Sequence, residues 1–238
     1  MNEHQARDEI CRIGKSLFDL GYAHATAGNI SVWLDEADGG GCLITPADAC
    51  LGFLDPARLA RLDADARQTS GDAASKTIAL HVAIMRANRA FDATTQCVIH
   101  THSAHCVAVS LQSAGSEMLA FQDEATTPQR ELLPPITPYF VMKVGHVPLI
   151  AYHRPGDPGA AGQVAQAITR YGQQGTPIRA VVLERLGPNV WHESPAAAMA
   201  TLEELEQTAR LWHISQPKPE ALNEDQINQL RTVFGARW

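Results

Sequence analysis

One stretch of this chain constrains its fold more than any other, because a strand pattern turns there directly into a helix pattern. The segment "QCVIHTH" (96–102) is typical of a buried strand, since its residues are apolar up to the final histidines. The segment "SAHCVAVSLQ" (103–112) continues with helical spacing. We therefore expect a strand with a helix packed behind it, which is typical of an α/β protein.

Two histidines stand at the end of this predicted strand. His100 and His102 are separated by one residue, so on a strand their side chains point to the same face. Neutral imidazole nitrogens at about 2.0–2.1 Å suit zinc, manganese or iron. The alternative is two half-buried histidines that each bond to a backbone carbonyl. The end of a strand is where α/β enzymes place their sites, which favours a metal.

Helix and strand patterns alternate along the rest of the chain. Apolar spacing predicts helices over 7–20, 75–87, 160–172 and 194–215 and strands over 27–34 and 41–47, with one or two strands within 139–158 and a strand, turn and strand across 178–191. Residues 113–135 are polar and contain proline, and we expect a loop there. Because no internal repeat or low-complexity linker interrupts the pattern, we predict one α/β domain over residues 1–238.

Composition excludes several classes of function. The formal charge of −7 and the pI near 5.8 argue against general nucleic-acid binding, which needs a basic face. No apolar run approaches the roughly 20 residues that span a membrane, and the polar N-terminal segment is no secretory signal. The five cysteines include no C-x-x-C pair, so we expect reduced thiols. These features predict a cytoplasmic protein without a membrane partner.

Six segments together resemble the class II aldolase/adducin family and, within it, the 3-oxo-tetronate 4-phosphate decarboxylases. They are "GYAHATAGNISVWL", "LITPADACLG", "SGDAASKTIALH", "CVIHTHSAH", "TPYFVMKVGHVPLIAYHRPGD" and "LEELEQTARL". The resemblance runs from about Ile10 to Leu211. It implies a three-layer α/β/α fold with a central, largely antiparallel sheet. It also implies a cyclic oligomer, for which we expect a homotetramer with sites between subunits.

The resemblance also implies a metal site. Active members hold one divalent metal with three histidines, and the metal stabilises the enediolate formed when a carbon–carbon bond breaks beside a carbonyl. His100 and His102 match the first two ligands. We expect zinc, manganese or iron as the cofactor and a small anionic molecule as the substrate.

Further positions match residues that bind or transform the substrate. Asn29, Thr45, Ser75 and Lys76 match segments that hold the substrate phosphate, where short polar side chains and helix-start amides suit an anion. Tyr139 matches a tyrosine that reaches into the neighbouring subunit's site and assists proton transfer. The alternatives stay open: Asn29 could fix a turn, and Tyr139 could be a core aromatic.

Two positions depart from the family pattern. The turn "NHGP" of catalytic relatives is "RLGP" here, so Leu186 replaces the third metal ligand. Thr77 stands where relatives carry a carboxylate four residues before the helix histidine, here His81, and threonine is no carboxylate base near neutral pH. A rebuilt site could use His153, our first choice, or His146, whereas His192 lies too far along the chain.

The remaining histidines leave further alternatives open. His24 flanks the phosphate segment and could donate to an anion, or could be an exposed loop residue. We expect a packing role for His105, which follows the pair at the start of the next helix. His81 could be a core residue or could lie behind the metal ligands and support them.

Three functions follow from these residues. The first is a divalent-metal-dependent carbon–carbon lyase, of decarboxylase or aldolase type, for a small oxo or hydroxy acid with or without a phosphate. Decarboxylation suits the loss at Thr77 better than aldol cleavage, because carbon dioxide departs without a base. The second is a non-catalytic binding or assembly protein with a degenerate metal site. The third is a rebuilt metal-dependent oxygenase, which iron in the purified protein would favour.

Overall fold

Most of the helices and strands lie where the sequence patterns predict them. A computed structural model describes residues 1–112, 120–121 and 129–238. Its helices are α1 (Glu3–Asp19), α2 (Ile78–Asn88), α3 (Ala104–Gln112), α4 (Pro158–Gln173), α5 (Pro195–Ile214) and α6 (Glu224–Phe234). Its strands are β1 (Asn29–Trp33), β2 (Cys42–Ile44), β3 (Ala60–Leu62), β4 (Gln68–Ser70), β5 (Cys97–His100), β6 (Ala120–Phe121), β7 (Gln129–Arg130), β8 (Leu149–Ile150), β9 (Ala180–Leu183) and β10 (Gly187–His192). Most of the loop predicted over 113–135 lies outside the described residues.

The strands form an eight-stranded sheet in the order β4-β3-β2-β1-β5-β10-β9-β8, and β6 and β7 form a separate pair. Strand β1 runs antiparallel to β2 and β5, and β3 runs antiparallel to β2 and β4. Strands β8 and β9 run parallel. The predicted α/β/α class, with helices around a central, largely antiparallel sheet, is confirmed.

The contacts divide the chain into two compact units. The first contains residues 1–102 and 190–199, and the second contains residues 103–189 and 200–238. A single domain over residues 1–238 stays a prediction. None of the helices in the described ranges combines the length and the apolar character that a membrane span requires.

The first unit packs α1 and α2 with strands β1 to β5. Helix α1 begins with a capping box, in which Asn2 and Gln5 exchange side-chain and backbone hydrogen bonds, and it buries Ile10, Ile13 and Leu17 on one face. One core cluster of this unit joins apolar side chains of β2 and β3: Cys42, Ile44, Ala60 and Leu62. The short strands β3 and β4 were not predicted, because they bring few apolar residues and β4 is exposed.

The second unit contains the parallel pair β8 and β9, which needs a crossover between its strands. Helix α4 is that crossover. Asp157 caps it by accepting a hydrogen bond from the N–H of Gly159 at 2.8 Å, and Pro158 occupies its first position. Buried side chains such as Val164 and Ile168 line one face of α4.

Only one of the two strands allowed within 139–158 forms, namely β8. Residues Phe140–Val144 form a π-helix instead, although their valines favour a strand. The hydroxyl of Thr137 accepts a hydrogen bond from the N–H of Phe140 at 3.1 Å, which stabilises the first turn. The N–H of Gly145 donates to the Phe140 carbonyl at 2.9 Å and closes the last turn. Local hydrogen bonding therefore overrides strand propensity here.

Candidate active site

The histidine pair lies at the end of β5, as predicted. His100 is the last residue of the strand and is 3% exposed, and the half-buried His102 follows two residues later. The centroids of the two rings are 5.1 Å apart, with 66° between the ring planes. Two imidazoles that bind one tetrahedral metal at about 2.0–2.1 Å have centroids on the order of 5 Å apart. The two rings are therefore spaced for one shared ion.

The protonation state of His102 also suits a metal. Burial lowers the pKa of this imidazole, and the charge of the nearby His24 lowers it further. A histidine must be neutral to bind a metal ion. At neutral pH, the lowered pKa keeps His102 in the form that a metal needs.

The start of β1 lies beside this pair. Asn29 is the partner of His100 in the antiparallel ladder, and its side chain is buried. Among the described residues, its Oδ1 has no hydrogen-bond partner, and the same is true of Thr101 Oγ1. Buried polar atoms are rarely left unsatisfied, because each costs about 1–3 kcal/mol. Because Asn29 is the ladder partner of His100, its Oδ1 indicates a polar ligand, ion or water on the face of the sheet that carries the histidine pair.

His81 on α2 packs against the same strand as Asn29. Its Nδ1 lies 2.6 Å from Ser31 Oγ, and its Nε2 has no hydrogen-bond partner among the described residues. Burial lowers the pKa of His81 to about 3, with a smaller contribution from His100. His81 is therefore a neutral core histidine. It has the core position that the sequence allows, and one buried nitrogen is left without a partner.

Two segments predicted to bind an anion lie against each other. Thr45 follows β2 directly, and its Oγ1 accepts a hydrogen bond from the N–H of Ile30 at 3.2 Å. The N–H of Ser75 donates to the Thr45 carbonyl at 3.3 Å. Lys76 is exposed at the next position. The structure thus brings Thr45 and Ser75 together, with Asn29 adjacent to Ile30 on β1.

Thr77 directly precedes α2, one turn before His81. Its Oγ1 lies 2.9 Å from Ser75 Oγ, and either hydroxyl can donate. The position at which the resemblance places a carboxylate is therefore occupied by a hydroxyl that is bonded to the predicted anion-binding segment.

Two predicted site residues, Tyr139 and His153, lie in the second unit, as does Leu186, which stands where relatives carry the third metal ligand. Tyr139 is 60% exposed and immediately precedes the π-helix. His153 follows β8, and its Nδ1 lies 3.9 Å from Asp157 Oδ1. Leu186 lies in the turn between β9 and β10, next to an exposed Arg185 with a left-handed φ of 66°. The roles of Tyr139 and His153 stay predictions.

The other alternative ligand, His146, is engaged within the second unit. Its Nδ1 lies 3.3 Å from Glu131 Oε1, and its ring stacks on Trp238 at 4.2 Å between centroids. Tyr171 also contacts it, with ring centroids 5.2 Å apart, and donates its hydroxyl to Glu131. His146 belongs to a buried packing cluster. At the end of β10, the ring Nδ1 of His192 accepts a hydrogen bond from the N–H of Glu193 at 2.9 Å.

Glu206 is a residue that sequence reasoning missed. It is 3% exposed on α5, and its carboxylate caps the start of α3. Its Oε1 accepts hydrogen bonds from the N–H and the Nδ1 of His105, both at 2.8 Å, and its Oε2 accepts one from the N–H of Cys106 at 3.0 Å. The available signal was the helical spacing of Glu206 with Leu202 and Ala209, which places a carboxylate on an apolar face. His105 therefore has a packing role, as predicted.

These residues fit a divalent ion through two ligands. Across the described part of the chain, no three His, Cys, Asp or Glu side chains are arranged so as to hold a metal ion. His100 and His102 nevertheless have the spacing that such an ion requires, and unsatisfied polar atoms lie at the same strand ends. By itself the pair offers fewer protein ligands than the three or four that zinc sites use.

Comparison with protein families gives the class of this fold and site. The model of the family "Class II Aldolase and Adducin N-terminal domain" matches residues 8–213. The chain belongs to this family.

Named relatives cover nearly the whole chain. The 3-oxo-tetronate 4-phosphate decarboxylase of Cupriavidus necator is 46% identical over 99% of this chain and 99% of its own length. The enzyme of the same name from Escherichia coli K12 is 37% identical over 97% of both chains. These relatives and the family together make the chain an enzyme of the class II aldolase-type lyases.

Solved structures agree with the fold. The crystal structure of YgbL from Escherichia coli, assigned to the aldolase/epimerase/decarboxylase group, superposes with a TM-score of 0.79 and 35% identity. It covers 96% of this chain and 99% of its own. The fuculose-1-phosphate aldolase of Thermus thermophilus superposes with a TM-score of 0.66 at 24% identity, covering 89% of this chain and 97% of its own, and shows the fold alone.

Proposed function

We propose that this chain is a divalent-metal-dependent decarboxylase that acts on a small phosphorylated 3-oxo acid. The observation that carries the proposal is the pair of histidines, His100 and His102, at the end of β5, whose ring centroids lie 5.1 Å apart. Asn29, the ladder partner of His100, is the first residue of β1. The next residue of this strand, Ile30, donates its N–H to Thr45 of the predicted anion-binding segment. The relatives named as 3-oxo-tetronate 4-phosphate decarboxylases support the substrate class.

His100 and His102 would hold the ion, with zinc, manganese and iron as the suitable metals. When bound, a divalent ion supplies Lewis acidity, which stabilises the negative charge that develops on a carbonyl oxygen. The chain contributes the orientation of the two imidazoles. His100 is fixed by the β1–β5 ladder opposite Asn29, whose buried Oδ1 can accept a hydrogen bond from a substrate hydroxyl.

The phosphate of the substrate would bind where Thr45 and Ser75 meet. Ser75 lies just before the N-terminus of α2, and its N–H donates to the carbonyl of Thr45, which follows β2. Backbone N–H groups and the helix dipole favour an anion at such a terminus. The exposed Lys76 adds a positive charge at this point. Asn29, with its unsatisfied buried Oδ1, would orient the polar groups between the phosphate and the metal.

The chemistry at Thr77 favours decarboxylation over aldol cleavage. Retro-aldol cleavage needs a base for the substrate hydroxyl, whereas loss of carbon dioxide needs none. Thr77 is engaged with Ser75 and supplies no carboxylate. Return of a proton to the substrate carbon is the remaining step, and we assign it to Tyr139. Its 60% exposure suits a side chain that enters a neighbouring subunit of a homotetramer. We expect this assembly to act in the cytoplasm.

Release of carbon dioxide from 3-oxo-tetronate 4-phosphate tests the proposal. The protein is loaded in turn with manganese, zinc and iron and compared with its His100→Ala variant, and L-fuculose 1-phosphate serves as the aldol substrate. We expect metal-dependent decarboxylation that falls at least about 100-fold in His100→Ala, with little aldol cleavage. Metal binding without any carbon dioxide release would overturn the proposal and favour the non-catalytic alternative, which the replacements at Leu186 and Thr77 support.

A further inference from the structure

The side chain of Trp238 contacts residues at both ends of the π-helix that follows Tyr139. Its ring stacks on the ring of His146, two residues after this helix, with 4.2 Å between the centroids and 22° between the planes. The same ring lies 5.7 Å from the ring of Phe140, the first residue of the helix, at an angle of 59°. Distances of this order are typical of aromatic rings that attract one another. One half-buried side chain therefore joins the start of Phe140–Val144 to the residues after its end.

Trp238 is itself held in place by α6. This helix ends at Gly235, which has a left-handed φ of 66° and donates its N–H to the Arg231 carbonyl at 3.0 Å. Such an ending turns the chain away from the helix axis. The Nε and Nη2 atoms of Arg231 donate hydrogen bonds to the backbone oxygen of Trp238 at 2.9 and 2.7 Å. Arg231 therefore fixes the backbone of Trp238 independently of the contacts that its ring makes.

The residues after the π-helix belong to a buried cluster. His146 contacts Tyr171 as well as Trp238, and its Nδ1 lies 3.3 Å from Glu131 Oε1. The other oxygen of this carboxylate accepts a hydrogen bond from the N–H of Val147 at 2.8 Å. The end of the helix is thus attached to the interior of the second unit. Trp238 extends this attachment to Phe140 at the start of the helix.

Tyr139 depends on the position of this helix. Its side chain is 60% exposed, whereas that of the next residue, Phe140, is fully buried. A side chain so exposed is placed mainly by its backbone, because few neighbours pack against it. A misplacement of about 1 Å can reduce a catalytic rate about 100-fold, even when it arises far from the reacting atoms. Whatever holds the π-helix therefore also decides where the Tyr139 hydroxyl lies.

We propose that Trp238 is a positioning residue for Tyr139. By joining Phe140 to His146, it holds the π-helix in the form that directs Tyr139 towards the substrate in a neighbouring subunit. Arg231 contributes by fixing the backbone of Trp238. The inference rests on the proposed function, in which Tyr139 returns the proton to the substrate carbon, and it specifies what places that tyrosine.

Hydrogen exchange of the backbone amides tests this inference without any turnover. The full-length protein is compared with Trp238→Ala, with the conservative variant Trp238→Phe, and with Phe234→Ala, which removes an exposed aromatic ring from α6. We expect the amides of Phe140–Val144 to exchange at least about 10-fold faster in Trp238→Ala and at nearly unaltered rates in the other two variants. Amides of α1 in the first unit report on global stability and should not change.

The exchange result decides the structural part of the inference. Unchanged exchange of Phe140–Val144 in Trp238→Ala would overturn the inference and leave the proposed function intact. If Trp238→Ala does not fold, Arg231→Gln takes its place, because it weakens the hold on Trp238 without removing an apolar side chain. The same amides should then exchange faster.

Steady-state release of carbon dioxide tests the link to Tyr139. We expect Trp238→Ala to lower kcat about 10-fold and to change KM by no more than about 2-fold, because proton return is affected and substrate binding is not. Trp238→Phe should recover most of kcat. Tyr139→Phe should lower kcat about 100-fold, and adding Trp238→Ala to it should cause no further loss, since no hydroxyl remains to be positioned.

Two results would contradict this link. Independent losses that multiply in the double variant would show that Trp238 acts elsewhere, and they would overturn the inference while the proposed function stands. If the unaltered protein released no carbon dioxide under any metal condition, the proposed function would fail, and this role of Trp238 would fail with it.

Discussion

Replacement of Glu206 by glutamine should destabilise the start of α3, the helix that follows the histidine pair. The buried carboxylate of Glu206 accepts three hydrogen bonds, from two backbone N–H groups and one imidazole nitrogen. These bonds join α5 to the first turn of α3, where N–H groups have no partner within the helix. The sequence separation of 101 residues between His105 and Glu206 makes this a tertiary cap.

The magnitude follows from the geometry. A hydrogen bond to a charged acceptor contributes about 1.5–3 kcal/mol, and a buried donor without a partner costs about 1–3 kcal/mol. In Glu206→Gln, an amide NH₂ replaces one carboxylate oxygen, so one bond is lost and one donor of His105 or Cys106 stays unpaired. The negative charge at the helix N-terminus, which contributes about 0.3–1 kcal/mol, is lost too. The cost of the unpaired donor is a consequence of the lost bond, so the two figures are not added. We therefore expect the free energy of unfolding to fall by about 2–4 kcal/mol.

Urea unfolding at pH 7, followed by circular dichroism, measures this change. Glu204→Gln is the matched control, because it makes the same chemical change two residues earlier on α5. Burial raises the pKa of the Glu204 carboxyl, so its charged form is disfavoured in the folded protein. We therefore expect Glu204→Gln to alter the free energy of unfolding by no more than about 0.5 kcal/mol. Equal urea midpoints for the two variants would show that the Glu206 carboxylate does not stabilise α3.

Three further predictions concern buried titratable groups. Burial lowers the pKa of His81 to about 3, so as the pH falls from 6 to 4 only the unfolded state takes up a proton at this imidazole. The free energy of unfolding should then fall by about 1 kcal/mol per pH unit because of this residue. Urea unfolding at each pH should show a smaller fall in His81→Gln. Tyr171→Phe removes the hydroxyl that donates a hydrogen bond to Glu131, and calorimetry should show that the free energy of unfolding falls by about 1–3 kcal/mol. An unchanged melting temperature would count against a contribution of this bond to stability. Burial raises the pKa of the Cys97 thiol, so a thiol reagent should label the half-buried Cys50 first in the native protein; early labelling of Cys97, found by mass spectrometry, would contradict this order.

Local patterns predicted the elements that hold the histidine pair. The apolar run before His100 forms β5, and the helical spacing after it forms α3. Such elements are predictable because each buries one face whose period is visible in the sequence. The segment Phe140–Val144 shows the limit, since its valines indicate a strand while the Thr137 hydroxyl and Gly145 close a π-helix.

The candidate site was predictable to the extent that its residues are neighbours in sequence. The spacing of His100 and His102 alone predicts that their side chains lie side by side, and their ring centroids are 5.1 Å apart. The contact between Ser75 and Thr45 and the bond between His81 and Ser31 join residues 30 and 50 positions apart, and no periodicity reveals such pairs. The proximity of His24 to His102 likewise depends on the close approach of Gly28 to β5, which is a tertiary property.

The metal content of the purified protein tests most directly whether His100 and His102 hold a catalytic ion. The protein is purified without chelator or affinity nickel and is analysed by elemental mass spectrometry beside its His102→Ala variant. We predict close to one divalent ion per chain in the unaltered protein and a loss of this ion in the variant. If the unaltered protein contained no metal and took up none from added manganese, zinc or iron, a metal-dependent lyase would be contradicted.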